Sequence, residues 1–294
     1  SSVKGFNSQG FLEAESTISE LCIELATVYG GSNNDYGYSV VETSDGGFSV
    51  TGFTDLFGNS GQVYFLLKTD SSGDVVWEKI SVGTGSTYTY GHSVIETADG
   101  GLVIAGETFS FDSGIESVYL LKTDSTGNLL WEKNFSSSSE EDVVQSFSFV
   151  NSVIETSDGG LVITGFTESV NNGQVYLLKT DSNGNLLWEK NFGGTSDDYG
   201  NSVIETSDGG LVVTGYTLSF GNSSQVYLLK TDSTGNLLWE NNFGGSNGEG
   251  GNSIVETNNG YFVVVGYTTS FGNGSQVYMI FTDSEGQGVR LPSE

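Results

Sequence analysis

The sequence contains very little cysteine, proline, histidine or methionine, and these shortages exclude several kinds of site. Its 294 residues include one residue of each of these four types. The single cysteine, Cys22, excludes an internal disulfide and a cysteine metal cluster. The single histidine, His92, excludes a metal site built from several histidines. No apolar run approaches the roughly 20 residues that a membrane-spanning helix needs.

Positive charge is also scarce. Lys and Arg total 9 against 37 Asp and Glu, so the formal net charge is −28. Proteins that bind nucleic acid neutralise phosphates with clustered Lys and Arg, and an anionic membrane surface attracts the same residues. The composition therefore argues against both partners.

A repeat accounts for most of the chain. Self-similarity at roughly 40–50 residues is typical of propellers and solenoids, and the absence of any helical period excludes a helical solenoid. Each copy begins with a serine, and these serines are Ser39, Ser93, Ser152, Ser202 and Ser253. The copies cover residues 39–80, 93–135, 152–192, 202–243 and 253–283.

One copy reads as four short strands. In the fourth copy these are SVIET, LVVTGYT, VYLLKTD and NLLWENNF, rich in β-branched and aromatic residues. Asp-Gly follows the first strand and Thr-Gly-Asn follows the third, as tight hairpin turns require. Four antiparallel strands form one blade of a propeller.

The fifth copy lacks a normal fourth strand, since Arg290 stands where the other copies have tryptophan. The segment SELCIELATVYGG near the start of the chain can be aligned with a fourth strand, with Tyr29 at the position of Phe192. We therefore predict an all-β, five-bladed β-propeller of four-stranded antiparallel blades, whose last blade is completed by the N-terminal strand Glu20–Tyr29 in cis or in trans. Residues 1–18 are expected to form an arm, and residues 19–294 the propeller. The competing interpretation is that residues 289–291 complete the blade and leave the N-terminal strand free for another molecule.

The pattern DSTGNLLW resembles the tryptophan-docking repeats of quinoprotein propellers, and Asp124, Gly127 and Trp131 fit that motif. The whole repeat is similar to propeller repeats of secreted and surface proteins of archaea and bacteria. The resemblance implies a propeller fold and no particular activity. The eight blades and the vicinal disulfide of the quinone enzymes have no counterpart here, so no such cofactor is expected.

Two features indicate a secreted protein. The chain begins at Ser rather than Met, as a processed chain does. Three sequons in predicted loops offer glycosylation sites at Asn134, Asn222 and Asn273, although such triplets also arise by chance in a Ser- and Asn-rich sequence. We expect an extracellular or cell-surface location.

A glutamate recurs on the first strand of every copy. Because the innermost strands of a propeller surround its axis, five carboxylates there could bind a hard cation such as calcium. The alternative is pairing with the lysines of the third strand, or exposure to solvent. The five residues are Glu42, Glu96, Glu155, Glu205 and Glu256. The recurring tryptophans of the fourth strand are expected to pack between blades.

The loops between copies vary in length and carry aromatic residues, which favours either a binding surface at one rim or ordinary loop packing. His92 is interpreted as a polar residue at the entry to a first strand. Residues predicted to make contacts with a partner are Leu21, Ile23, Leu25, Tyr88, Tyr90, Phe109, Phe111, Phe147 and Phe149.

No set of residues forms a recognisable catalytic constellation. The first functional hypothesis is therefore a non-enzymatic, self-assembling subunit of a cell surface or filament, which binds itself through the N-terminal strand or binds another surface protein. A lectin-like propeller that binds glycans at the variable rim is the alternative. A carboxylate-dependent glycosidase is the third hypothesis.

Overall fold

The computed structural model describes residues 27–30, 34–55, 63–81, 88–110, 115–135, 147–168 and 172–290. Within these ranges the secondary structure consists of 19 β-strands arranged in five antiparallel sheets. The all-β class and the five-sheet organisation agree with five propeller blades. None of the described residues belongs to a helix that is long and apolar enough to span a membrane.

Each sheet contains consecutive strands in sequence order, and we call the sheets blades 1 to 5. Blade 1 contains β1 Asp35–Glu42, β2 Phe48–Thr54, β3 Val63–Thr69 and β4 Val75–Ser81. Blade 2 contains β5 Tyr88–Glu96, β6 Leu102–Ser110, β7 Ile115–Thr123 and β8 Leu129–Phe135. Blade 3 contains β9 Phe147–Glu155, β10 Leu161–Glu168, β11 Gln174–Thr180 and β12 Leu186–Phe192. Blade 4 contains β13 Asp198–Glu205, β14 Leu211–Thr217, β15 Gln225–Thr231 and β16 Leu237–Phe243. Blade 5 contains β17 Glu249–Glu256, β18 Phe262–Thr268 and β19 Gln276–Thr282.

The turn chemistry of the repeat explains the hairpins. In blade 4 the Asp208 carboxylate accepts hydrogen bonds from the Thr206 hydroxyl and the Gly210 amide, which fixes the turn between β13 and β14. Gly209 adopts a φ of 78°, in the left-handed region that favours glycine. The same turn joins the first two strands of blades 1, 2 and 3.

A second glycine allows two strands to approach closely. A Cβ added at Gly215 would lie 1.7 Å from the Tyr199 carbonyl oxygen, so only glycine fits opposite the bulge between Gly200 and Ser202. Bulges of this kind bend a strand and re-aim its side chains. Here the bulge lies at the start of the first strand of the blade, where the candidate site is found.

The hydrophobic cores lie between blades. Four clusters of buried residues join blade 1 to 2, 2 to 3, 3 to 4 and 4 to 5. The tryptophan of each fourth strand packs on the glycine of the next blade's last turn, as its shared position predicts; Trp188, for example, faces Gly235. The first strands of neighbouring blades also contact each other and are therefore the innermost strands.

The fourth-strand position of blade 5 is occupied at its start by the C-terminal part of the chain. Gly288 bridges Thr282, and the Val289 amide donates to the Phe281 carbonyl oxygen at 2.8 Å. This pairing is the beginning of the arrangement that the competing interpretation expected. Most of the predicted N-terminal strand, including Leu21, Ile23 and Leu25, lies outside the described residues.

Candidate ligand site at the centre of blades 1 and 2

One position on the innermost strands distinguishes blades 1 and 2 from the others. The residue before the repeat serine is Tyr38, His92, Asn151, Asn201 and Asn252 in the five blades. Asn151 and Asn201 each donate from the side-chain amide to a glycine carbonyl of the next blade, both at 2.8 Å. Tyr38 instead stacks on His92, with ring centroids 5.1 Å apart and planes 6° from parallel. The histidine therefore lies within a strand and contacts an aromatic ring, whereas the sequence suggested a polar residue at the strand entry.

A second position breaks the repeat in blade 2 alone. The residue after the glycine of the second strand is Phe53, Glu107, Phe166, Tyr216 and Tyr267 in the five blades. Two of the aromatic members pack on an aromatic residue of the next blade: Phe53 lies 5.2 Å from Tyr90 and Phe166 lies 4.3 Å from Tyr199 between ring centroids. Glu107 replaces the aromatic ring in blade 2, although it is only 6% exposed.

The buried Glu107 lies beside His92, whose side chain is 27% exposed. The Glu107 Oε1 atom lies 3.5 Å from His92 Nε2 and accepts a hydrogen bond from the Val150 amide at 3.3 Å. The His92 Nε2 atom is itself buried and makes no hydrogen bond within the described part of the chain, so its contact with Glu107 is an ion-pair contact rather than a hydrogen bond. A carboxylate is costly to bury unless it is hydrogen-bonded or paired, so this substitution requires a specific partner.

Two tyrosines complete the cluster. Tyr38 is 47% exposed, while Tyr90 lies opposite Glu107 in the β5–β6 ladder and packs edge-on against Phe53 at 5.2 Å. Burial raises the pKa of Tyr38, and the Glu107 carboxylate raises it further. Burial is also the main cause that raises the pKa of Tyr90. Both phenols consequently stay neutral at physiological pH and can donate hydrogen bonds.

The cluster combines a half-exposed aromatic surface with several polar groups. Small-molecule sites typically contain such a combination, in which the aromatic rings supply contact area and a few polar atoms fix orientation. We call the set formed by Tyr38, Tyr90, His92 and Glu107 the central cluster. Sequence reasoning named Tyr90 and His92 but missed Glu107. A comparison of the residue after the second-strand glycine across the five copies would have found it.

The ring of glutamates has a structural role in four of its five members. The Glu205 carboxylate accepts hydrogen bonds from the Ser157 amide at 2.7 Å and from the Ser157 hydroxyl at 2.9 Å, in the turn of the preceding blade. Equivalent carboxylates join the other neighbouring blades; they belong to Glu96, Glu155 and Glu256. Within the described ranges no group of three or more His, Cys, Asp and Glu side chains could hold a metal ion.

The expected pairing of these glutamates with the third-strand lysines is wrong. Lys179 Nζ lies 2.7 Å from the Asp158 carboxylate, in the turn between the first two strands of its own blade. The hydrogen bond from Lys179 is the main cause that lowers the pKa of Asp158 to about 2. Lys68, Lys122 and Lys230 pair with the corresponding turn aspartates. The glutamates are unavailable because they face the neighbouring blade.

The aromatic residues proposed for the rim have different surroundings. Tyr88 and Phe109 pack together at 6.4 Å between ring centroids, and Phe149 stacks on Phe166 at 4.6 Å. Phe147 is described only as part of β9, and Phe111 lies outside the described residues. Tyr90 belongs to the central cluster.

The three sequon asparagines are exposed. Asn222 and Asn273 lie in loops between second and third strands, as expected. Asn134 is in β8 rather than in a loop, because the fourth strand of blade 2 extends to Phe135.

Comparison with known proteins identifies similar folds only among solved structures. No protein-family model matches the chain, and no curated protein matches it significantly. An α-L-arabinofuranosidase from Fusarium graminearum is similar at 10% identity over 86% of this chain and 94% of its own, with a TM-score of 0.48. A GH43 endo-arabinanase from Bacillus licheniformis is similar at 13% identity over 89% and 99%, with a TM-score of 0.40. The calcium-binding protein regucalcin from Agrobacterium tumefaciens is similar at 12% identity over 83% and 72%, with a TM-score of 0.42.

These matches correct the first functional hypothesis. Two of the three proteins just described are named as glycosidases, which contradicts the expectation of a non-enzymatic, self-assembling structural subunit. That expectation is not retained. At this level of similarity the matches concern the fold, and any function has to be argued from the chain's own residues.

Proposed function

We propose that this protein is a carbohydrate-binding propeller and that the central cluster is its sugar site. The observation that carries the proposal is the replacement of an aromatic residue by Glu107 in blade 2 alone, beside the only histidine of the sequence, on which the half-exposed ring of Tyr38 stacks.

The chemistry of the cluster suits a sugar. A pyranose or furanose ring has an apolar face of C–H groups, which packs on an aromatic ring such as Tyr38. Its hydroxyl groups donate to an ionised carboxylate, which accepts only, and exchange hydrogen bonds with phenol and imidazole groups. The net charge of −28 repels anionic polymers, so neutral or amino sugars are the expected class.

The repeat itself provides variants that test this site with little risk to the fold. Glu107→Phe, His92→Asn and Tyr38→Asn each introduce the residue that another blade carries at the same position. We expect binding to a panel of neutral oligosaccharides, measured on a glycan array, to fall by at least about tenfold in each variant, equivalent to about 1.4 kcal/mol. Phe166→Tyr is the matched control, because blades 4 and 5 already carry tyrosine at this position. This variant should bind like the wild type. Unchanged binding in Glu107→Phe would contradict the proposal.

A second candidate function is hydrolysis of the bound glycan. Burial is the main cause of the raised pKa of Tyr90, and the Glu107 and Asp55 carboxylates raise it further, so both carboxylates act on the same phenol. Glycoside hydrolysis uses a pair of carboxyl groups, one as acid and the other as base or nucleophile. Release of reducing ends from an oligosaccharide that binds, abolished in both Glu107→Gln and Asp55→Asn, would support hydrolysis. Binding without release in the wild type would leave the site a binding site only.

We also propose that the N-terminal segment up to Tyr29 completes the fourth strand of blade 5 in cis, beyond the two residues already paired there. The Tyr29 hydroxyl donates to the Gly73 carbonyl oxygen in the last turn of blade 1, the turn that receives the fourth strand of a preceding blade. A Cβ at Gly30 would clash with Asp35 as one at Gly193 would with Asp198, which supports the alignment of Tyr29 with Phe192. Deletion of residues 1–30 should therefore destabilise the protein in chemical denaturation, whereas an unchanged midpoint would contradict this assignment.

A further inference from the structure

A layer of aromatic side chains runs across the first two strands of the blades, and two residues interrupt it. Each blade contributes the residue three positions before its repeat serine and the cross-strand partner of that residue on the second strand. The five pairs are Tyr36 with Phe53, Tyr90 with Glu107, Phe149 with Phe166, Tyr199 with Tyr216, and Gly250 with Tyr267. Glu107 interrupts the layer in the central cluster. Gly250 interrupts it in blade 5, and the proposed function does not account for this second departure.

The backbone does not require glycine at position 250. Gly250 does not have a positive φ, so its backbone conformation is open to residues with a side chain. The obstacle to a side chain is the ring of Tyr267. A Cβ added at Gly250 would lie 2.7 Å from Tyr267 Cε1 and 3.3 Å from the Tyr267 hydroxyl oxygen. The Tyr267 ring therefore takes the space in which every other blade places an aromatic side chain of its first strand.

This exchange changes the surface that the ring presents. In blades 3 and 4 the paired rings stack, with centroids 4.6 Å apart for Phe149 and Phe166 and 4.3 Å apart for Tyr199 and Tyr216, both at 16° between planes. Each ring of these pairs covers one face of the other. Tyr267 has no such partner in its own blade and is 37% exposed. Blade 5 thus offers a free aromatic surface at a level where blades 3 and 4 cover theirs.

A donor and an acceptor accompany this ring. Burial is the main cause that raises the pKa of Tyr216, and the Tyr267 phenol and the Asp197 carboxylate raise it further. Tyr216 consequently stays neutral and can donate a hydrogen bond. Asp197 Oδ1 accepts a hydrogen bond from the Gly173 amide at 2.7 Å, and a carboxylate has lone pairs for further donors. An aromatic surface with a few polar groups is the combination typical of a small-molecule site.

We propose that Tyr267 is a second sugar platform, that Gly250 positions its ring, and that the ligand is an oligosaccharide with separate units on Tyr267 and on the central cluster. This inference rests on the proposed sugar site and names the class of its ligand. Glu107 and Tyr267 occupy equivalent positions of two blades, so the two departures lie at the same level of the repeat. The apolar face of a sugar packs on Tyr267 as it does on Tyr38.

A ligand held at two platforms binds more tightly than one held at a single platform, because the second contact is intramolecular. A monosaccharide reaches only one platform at a time. Affinity should therefore rise with the length of the oligosaccharide, and the rise should depend on Tyr267 and Gly250.

Calorimetric titration with xylo-, cello- and arabino-oligosaccharides, each from the monosaccharide to the hexasaccharide, tests this dependence. Gly250→Tyr introduces the residue that blade 4 carries as Tyr199, and Tyr267→Leu removes the ring. We expect the affinity for the longest member that binds to fall by about tenfold in both variants, while the shortest member that binds keeps its wild-type affinity. Phe271→Leu, at an aromatic residue of the same blade that is 60% exposed, is the matched control and should bind like the wild type.

Several results would overturn the inference. Equal affinities of the wild type for short and long members would exclude a second platform, and so would undiminished binding of the long member by Tyr267→Leu. Wild-type binding by a folded Gly250→Tyr would exclude the positioning role of the glycine. If circular dichroism shows that Gly250→Tyr does not fold, Tyr267→Leu decides the test, since it leaves the glycine in place.

These failures are distinguishable from failure of the proposed function. Binding that is lost in Glu107→Phe but is independent of chain length would leave the central cluster as the sugar site and remove only the second platform. Absence of binding by the wild type to every member would overturn both.

Discussion

His92 Nε2 and Glu107 Oε1 lie 3.5 Å apart on neighbouring strands of blade 2, and no other blade has either residue at these positions. In a repeat protein, residues shared by all copies mainly maintain the fold, while a departure confined to one copy needs a separate reason. Glu107 occupies a position at which every other blade carries an aromatic residue, and in blades 1 and 3 that ring packs against the next blade. In blade 2, therefore, polar groups replace an aromatic side chain of the repeat.

Restoring the repeat at this position should stabilise the protein while removing the site. Glu107→Phe replaces a buried carboxylate with the residue that blades 1 and 3 carry there. Functional sites commonly reduce stability in this way. We expect the thermal unfolding midpoint to rise or stay unchanged as oligosaccharide binding is lost. A large fall in the midpoint would mean that Glu107 serves the fold.

The contribution of the tryptophan–glycine contact to stability can be measured separately from the cost of placing a non-glycine residue at a positive φ. Gly235 and Gly209 have φ values of 79° and 78°, so alanine is disfavoured by about 1–2 kcal/mol at either position. An added Cβ at Gly235 would lie 3.0 Å from the Trp188 ring, whereas nothing lies within 4 Å at Gly209. Gly235→Ala should therefore lower the free energy of unfolding more than Gly209→Ala in urea titrations. Equal losses would show that the Trp188 contact adds nothing.

The glutamates that bond to the first turn of the preceding blade should each stabilise the fold. Glu205→Gln weakens charge-assisted hydrogen bonds to the turn of blade 3, and we expect a loss of about 0.5–1.5 kcal/mol in the free energy of unfolding. Glu42→Gln is the matched control and should leave the urea midpoint unchanged, because no described residue bonds to Glu42. An unchanged midpoint in Glu205→Gln would contradict this expectation.

Acid stability should depend on the lysine–aspartate pairs of the turns. The pKa of Asp158 in the folded protein is about 2, below its ordinary value of 3.8, chiefly because Lys179 donates a hydrogen bond to it. A depressed folded pKa stabilises the protein above the ordinary pKa, and this contribution is lost as the pH falls from about 4 to about 2. Lys179→Met should thus be less stable than the wild type at pH 7, and the difference should shrink at pH 2.

The acid-stability comparison has a control in the exposed Lys190, which has no salt bridge within the described ranges. Lys190→Met should show no such pH-dependent difference from the wild type in thermal unfolding. A difference between Lys179→Met and the wild type that persists unchanged at pH 2 would mean that the lysine acts through packing alone.

The sequence predicted the blade well because turn chemistry and strand pattern agree in every copy. Gly209 and Gly235 supply the positive φ values that the turns require, and the strands between them are rich in β-branched and aromatic residues. The start of the first strand was harder to predict. β13 begins at Asp198, four residues before the repeat serine, because a bulge at Gly200 breaks the alternation that marks a strand.

That same stretch carries most of the candidate site, which explains why the sequence revealed little of it. Tyr38 and His92 lie on the bulged part of β1 and β5, so their position did not identify them as strand residues. Glu107 escaped notice because it departs from the repeat in one copy only. The pairing of glutamates could not be predicted either, since their partners belong to a neighbouring blade whose register the sequence does not specify.

The departures from the repeat in blades 1 and 2 are proposed to form a sugar site. The most direct measurement is calorimetric titration of a neutral oligosaccharide selected on the array into the wild type and into the triple variant Tyr38→Asn, His92→Asn, Glu107→Phe. We expect saturable binding at one site in the wild type and no measurable binding in the triple variant, with both proteins folded by circular dichroism. Equal affinities in the two proteins would contradict it.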